Sequence, residues 1–274
     1  MKNIKIARAF SSAGTIILGL IIISPLLIGL AMSFMSPSEM ASIPPHFIPR
    51  DPVIRTYENA LRQVPIFHFM RNSVIVCAIV ITGQICTCSL AAFAFSFYNF
   101  RAQRILFLVI LSTMMIPADA IIIANFLTVS QFRLTDNFIG LTAPYLSSAM
   151  GIFLLRQFFL TIPRELREAA LIDGCKDMRF LISVVLPISK PAVASLSIFT
   201  FIQIYNQFLW PLLVTNTNRM RTVQIGISIL QMAEVVDYGA VLAGAVMILI
   251  PAILVFMFGQ KFLARGMLTG AIKG

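Results

Sequence analysis

"NSVIVCAIVITGQICTCSLAAFAFSFYNF", residues 72–100, runs from Arg71 to Arg101 without one charged side chain. A helix needs roughly 20 apolar residues to cross the hydrocarbon layer of a bilayer, and a barrel strand only about 9–11. The stretch therefore reads as a membrane-spanning helix. Similar gaps lie between Arg8 and Glu39, Asp136 and Arg156, Lys190 and Arg219, and Asp237 and Lys261. A sixth span starts after Arg104 with "ILFLVILSTMMIP" and puts Asp119 near its far end, where a carboxylate reaches the interface. The 274-residue chain is 58% hydrophobic and 12% charged, with a mean hydropathy of +0.90, whereas soluble domains are about 25% charged. Backbone groups in lipid must be satisfied internally, and the apolar runs are too long for barrel strands. The expected fold is all-α and polytopic. It is a single transmembrane domain over 1–274, with six spans near 9–34, 72–97, 105–127, 137–160, 187–214 and 238–262 and a long inner loop at 161–186.

Cytoplasmic loops retain Lys and Arg. With both termini placed inside, the inner segments hold 14 of the 21 basic residues and 4 of the 11 acids, so the inner side carries +10 and the outer side nothing. The high pI of about 10.0 is thus a topology signal. A nucleic-acid surface would need basic residues interleaved with aromatics on a soluble face. The first span follows Lys2, Lys5 and Arg8, but its apolar run exceeds the 7–15 residues of a signal peptide, so it reads as retained. The proline-rich outer loop 36–65 offers a short helix around Arg55 to Arg62.

No catalytic set emerges. His46 and His68 have no partners at metal spacing, and Cys86 and Cys88, two apart on a helix, face different directions. The spans show no Ser/His, Cys/His or paired-carboxylate arrangement, and the tail "GMLTGAIKG" lacks the order of a phosphate loop. No metal and no cofactor is expected on this chain, and work against a gradient would need nucleotide hydrolysed elsewhere.

One inner stretch is unlike the rest. "RELREAALIDGCKD", residues 164–177, with Arg179 just beyond, gathers eight charged side chains. Pro163 and Glu165 suit a first helical turn, and Gly174 a left-handed end. Leu166, Ala169 and Ala170 share a face, while Arg164 and Glu168 are spaced to pair. The expected element is a short amphipathic helix. Its four acids (Glu165, Glu168, Asp173 and Asp177) fit a protein partner better than anionic lipid headgroups.

"EAALIDG", followed by Leu186 and Pro187, resembles the EAA motif of binding-protein-dependent ABC importer permeases, with Glu168, Ala169, Ala170, Asp173 and Gly174 in matching positions. Cys175 stands where alanine is common. "IGLTAPYLSSAMGIFLLRQFFLTIP", "NQFLWPLL" and the tail extend the likeness to the carbohydrate branch, which includes the smaller permeases of maltose and glycerol-3-phosphate importers. The resemblance implies a multi-pass inner-membrane subunit and an ATPase-coupling role for Arg164, Leu166 and the five motif residues. It also implies that Gly266, Thr269 and Gly270 reach toward the ATPase dimer, against the simpler reading of a loosely held terminus. The implied partners are a second homologous permease, two ATP-binding subunits carrying ATP and Mg, and an extracytoplasmic solute-binding protein. The implied cargo is a glycerol phosphate or a sugar, moved by alternating access.

Gln203, Asn206, Gln207 and Trp210 cluster in the fifth span. On one continuous helix, Gln203, Asn206 and Trp210 share a face. Polar amides in a membrane helix either line a wet path or bond to a neighbouring helix, and the sequence leaves both open. Asp119 and Arg133 read as outer-surface residues. The outer stretch 215–234 is a polar turn and then an apolar segment, placed in the family to meet the binding protein. Ala240 and Gly244 form a small-xxx-small pair suited to close packing. Two other classes fit the same composition. A secondary transporter would ordinarily show mid-membrane ionisable groups and matching halves. A structural membrane subunit would use the amides only for packing.

Overall fold

The computed structural model describes residues 2–232 and 236–271, and side chains outside 1–11, 13 and 262–274 within them. Every regular element among the described residues is helical. Three helices are long and apolar enough to cross a membrane: Gly14–Met32, Ile66–Phe97 and Tyr238–Lys261. Three bent pairs bring the count of spans to as many as six, so the fold is an all-α polytopic one.

The bends were not legible as gaps in charge. The third span runs Gln103–Met115 and resumes at Ala118–Gln131 after a turn of 98°. Pro117 lies at the elbow, where its ring disfavours helix for Ile116 before it and its missing N–H ends the ladder. The fourth pairs Phe138–Tyr145 with Ala149–Phe159 at 51°. Its second half is started by Ser148, whose side chain accepts from the Gly151 N–H. The fifth pairs Asp177–Ile188 with Lys190–Tyr205 at 80°. Within 105–127, 137–160 and 187–214 the helix is thus interrupted, in the last of them a second time between Tyr205 and Leu209.

Contacts divide the chain into two compact units. The first contains residues 1–66 and 226–250. Within it, the helix Arg55–Gln63 is held by the Thr56 hydroxyl donating to the Ser33 carbonyl, by Ser33 and Tyr57 hydroxyls 2.8 Å apart, and by Asn59 donating to Asp237 at 2.9 Å. Ala240 is fully buried. A Cβ on Gly244 would come within 2.8 Å of Leu230, so this small-residue pair packs against its own unit. No residue from Gly14 to Met32 is buried, which fits a helix whose whole circumference meets lipid or another subunit.

The second unit contains residues 67–225 and 251–274. Lipid gives apolar faces no hydrophobic reason to associate, so close packing and inter-helix hydrogen bonds must hold the spans. Both are present. Cys88 and Leu196 leave no room for a side chain at Gly151. Gln84, inside the second span, accepts from the Thr200 hydroxyl at 2.7 Å and donates to the Tyr145 carbonyl at 2.9 Å, tying three spans together. On the loop side of this unit, Phe93, Phe95, Phe159, Phe180, Leu181 and Val185 form a buried cluster against which Phe97 packs.

Candidate functional site

The charged stretch folds as the helix Arg164–Ile172. It ends in a Schellman motif. The Gly174 N–H bonds to the Leu171 carbonyl and the Cys175 N–H to the Ala170 carbonyl, with Gly174 at φ +70°, where an L side chain is strained. Ala170 and Cys175 turn inward onto the aromatic cluster. Ile162 before the helix is buried, as are Phe180 and Leu181 after it. The helix itself has no buried residue, and its end presents Leu171 at 56% and Ile172 at 86% exposure. It is a wet handle hung between two apolar anchors.

Arg167 ties this handle to the second span. It donates through Nη1 to the carbonyl of Phe97, the last residue of that helix. Its Nη2 lies 3.3 Å from Asp177 Oδ1, and its guanidinium sits 5.1 Å from the Tyr98 ring centre. The Tyr98 hydroxyl donates to the other Asp177 oxygen. That bond, which needs the protonated phenol, holds the Tyr98 pKa above its ordinary value. Arg156 and Gln103 both donate to the Phe95 carbonyl. Carbonyls left unpaired at a helix C-terminus are thereby met by two cations and an amide, which also suits the helix dipole.

A second feature of the same unit is a cavity of about 830 Å³. It opens at the breaks, between the Pro117 elbow, the Tyr145–Ser148 interruption and the end of the Lys190–Tyr205 helix. Gln203, Gln207 and Trp210 line it together with Gln84, Tyr145 and Asp119. Trp210 is buried, donates to the Leu141 carbonyl at 3.2 Å, and meets Tyr145 edge-on at 6.1 Å.

Several sequence expectations change. Asn206 does not share a helical face with Trp210: it caps the helix ending at Tyr205, is exposed, and donates back to Ile202 O at 2.9 Å. It is not among the cavity-lining residues. Asp119 does not lie in a loop but stands, exposed, in the first turn of Ala118–Gln131 and lines the cavity. Ala170 faces the cluster, not the outside with Leu166 and Ala169. The ion pair of Arg164 with Glu168 is replaced by that of Arg167 with Asp177. Glu168 and Asp173 are exposed on or beside the helix. The backbone of Gly266, Thr269 and Gly270 continues the last helix, Tyr238–Ala271, while their side-chain surroundings lie outside the described residues. Gln84, Thr200 and Tyr145 went unnoticed in the sequence. Gln84 carried the same signal that marked Gln203, an amide within an apolar run.

The chain is thus an all-helical membrane protein with an exposed, charged helix between two of its spans and a polar cavity at the helix breaks. The family model for the inner membrane component of binding-protein-dependent transport systems matches residues 84–269. Across most of its length the chain is 35% identical to an open reading frame of Caldicellulosiruptor sp. (strain Rt8B.4) assigned to the ABC transporter permeases, covering 91% of each. It is 34% identical to the sn-glycerol-3-phosphate transport system permease protein UgpE of Rhizobium meliloti and 33% identical to that of Brucella abortus, in both cases over 92% of this chain and 93% of the relative. Its fold is similar to that in the crystal structure of a bacterial ABC transporter involved in the import of the acidic polysaccharide alginate, with a TM-score of 0.81, 25% identity, and coverage of 93% and 96%. The chain belongs to the family of binding-protein-dependent ABC importer permeases, multi-pass proteins of the inner membrane that are transport subunits and not enzymes.

Proposed function

We propose that this chain is one half of the membrane pathway of an ATP-driven importer, paired with a second homologous permease and served by two ATP-binding subunits and an extracytoplasmic binding protein. ATP and Mg belong to the ATP-binding subunits, and both termini of this chain face the cytoplasm. The observation that carries the reading is the Arg164–Ile172 helix, which has no buried residue yet is anchored at both ends and tied by Arg167 to the second span. Such an element transmits a push from outside without being a hydrophobic part of the bundle. Arg164, Leu166, Glu168, Ala169, Asp173 and Gly174 would meet or shape the docking surface, with Ala170 seating the helix from beneath. Gly266, Thr269 and Gly270 would form a second contact with the ATPase pair.

The cavity lined by Gln203, Gln207 and Trp210 is assigned to the solute path, with Asn206 at its margin. Amides, hydroxyls and an indole suit a polyhydroxylated solute. The names of the relatives support the sugar and glycerol-phosphate class. Alternating access would follow when ATP-driven closure of the partner subunits moves the inner-loop helix.

The test is purification of the intact complex with this chain as bait, followed by ATPase and vesicle-uptake assays. The reading expects an ATPase and a second permease to accompany the chain. It also expects Glu168→Ala to keep membrane insertion while reducing solute moved per ATP hydrolysed. A chain that emerges alone from several mild detergents, or full coupling in the variant, would overturn it.

A further inference from the structure

The cavity has an uneven charge that the proposed function leaves unexplained. Among the described residues lining it, Asp119 is the one ionisable side chain of full charge, and neither Lys, Arg nor His faces it. The remaining polar lining consists of amides and hydroxyls, including Gln203, Ser147 and Thr200. Asp119 comes from the first turn beyond the Pro117 elbow, so the helix break itself delivers a carboxylate to the cavity. Sites built for phosphates or carboxylates use the opposite chemistry, with guanidinium, ammonium or convergent N–H donors.

We infer that Asp119 is a specificity-determining residue that biases this half of the path toward uncharged polyhydroxylated solutes and against phosphate- or carboxylate-bearing ones. This rests on assigning the cavity to the solute path. It departs from the anionic cargoes named for the relatives. Hydroxyl groups donate well to a carboxylate, whereas a second anion within several ångströms, at the effective dielectric constant of a protein surface, is repelled strongly enough to change occupancy by about tenfold. Asp119 takes no chemical part in transport. It sets the sign of the local potential.

The experiment uses the complete complex in vesicles with Ser147→Cys, a nearly isosteric change at an exposed cavity position. Labelling rates with a cationic and an anionic methanethiosulfonate are compared, each normalised to a free thiol and corrected with the complex retaining Ser147. The expected result is a cationic preference that falls about tenfold with Asp119→Asn, persists with Asp119→Glu, and shrinks in 1 M salt. A preference unaltered by Asp119→Asn, or by salt if that variant fails to assemble, overturns the assignment. Labelling needs no ATP, so a charge-dependent ratio in a complex that cannot couple ATP to uptake would condemn the importer reading alone. In uptake, Asp119→Asn should improve glycerol-3-phosphate relative to an uncharged sugar; an unchanged ratio with both solutes transported counts against the inference.

Discussion

Arg167 donates to the carbonyl of Phe97 across 70 positions of sequence, joining the exposed Arg164–Ile172 helix to the end of a 32-residue span. Hydrogen bonds made by a charged donor are worth about 1.5–3 kcal/mol. Arg167→Ala should therefore loosen the handle without unfolding the bundle, lowering solute transported per ATP by about tenfold while the amount of chain in the membrane holds. Arg167→Lys should recover only part, because an ammonium lacks the fork that meets Phe97 and Asp177 together. Coupled ATPase and uptake in vesicles measure both.

Gly174 tests the end of the same helix. Its φ of +70° costs an ordinary L residue about 1–2 kcal/mol, and asparagine less. Coupling should decline in the order Gly, Asn, Ala, Val. No atom lies within 4 Å of a Cβ built there, so the ranking reports backbone conformation and not crowding. An order following side-chain volume with Asn below Ala would show that a partner surface is what crowds the site.

Gly140 should be intolerant for the opposite reason. A Cβ there would fall 2.0 Å from the Leu134 carbonyl oxygen, a backbone atom that cannot swing aside. Gly140→Ala should cost about 3 kcal/mol or more, seen as a lowered thermal transition in detergent.

Gln84 and Thr200 should behave as one unit. Gln84→Leu leaves a buried hydroxyl and the Tyr145 carbonyl without the partner they have now, at about 1–3 kcal/mol. The double variant Gln84→Leu with Thr200→Val should lose less than the sum of the two singles. A strictly additive cycle in thermal unfolding would mean that the two side chains act independently.

Asp136 pins the turn at Asn216 and Thr217. Burial alone would raise its pKa, but the Thr217 hydroxyl and N–H, the Asn216 N–H and the charge of Arg219 outweigh it and hold the value below that of free aspartate. A carboxyl depressed in the folded state stabilises at neutral pH, and this contribution disappears as pH falls through the carboxylate range. Amide exchange at Asn216 and Thr217, corrected for intrinsic rates, should accelerate there. Asp136→Asn should show the accelerated rate already at neutral pH.

Spans were legible because a charge in lipid is costly, so each long gap between charges marks a crossing. The breaks were not, since the chain beyond Pro117 and Asp119 resumes an apolar run from Ala120 to Ala124 and counting charges cannot see a proline elbow. The same blindness misplaced Asp119 and carried one helical face from Asn206 to Trp210 across an interruption. The handle was visible in advance, as Gly174 and the density of charge announce a helix end in water. Arg167 was not, because its partner is a main-chain carbonyl in a distant span, and sequence spacing on a single helix points to Arg164 and Glu168 instead.

The stretch Leu181–Val185 winds as a π-helix, with the Leu186 N–H reaching back to the Leu181 carbonyl. A turn that holds one residue more than its neighbours absorbs that residue without turning what lies on either side. Removing a single residue there would close it into ordinary α-helix with the two flanking segments still nearly in phase, because four α-residues sweep about the same angle as the five of the wide turn. A residue lost from the regular helix Lys190–Tyr205 would instead rotate everything upstream by about 100°. The aim of the Arg164–Ile172 helix is thus buffered against a change of chain length at Leu181–Val185 and exposed to one a few residues later.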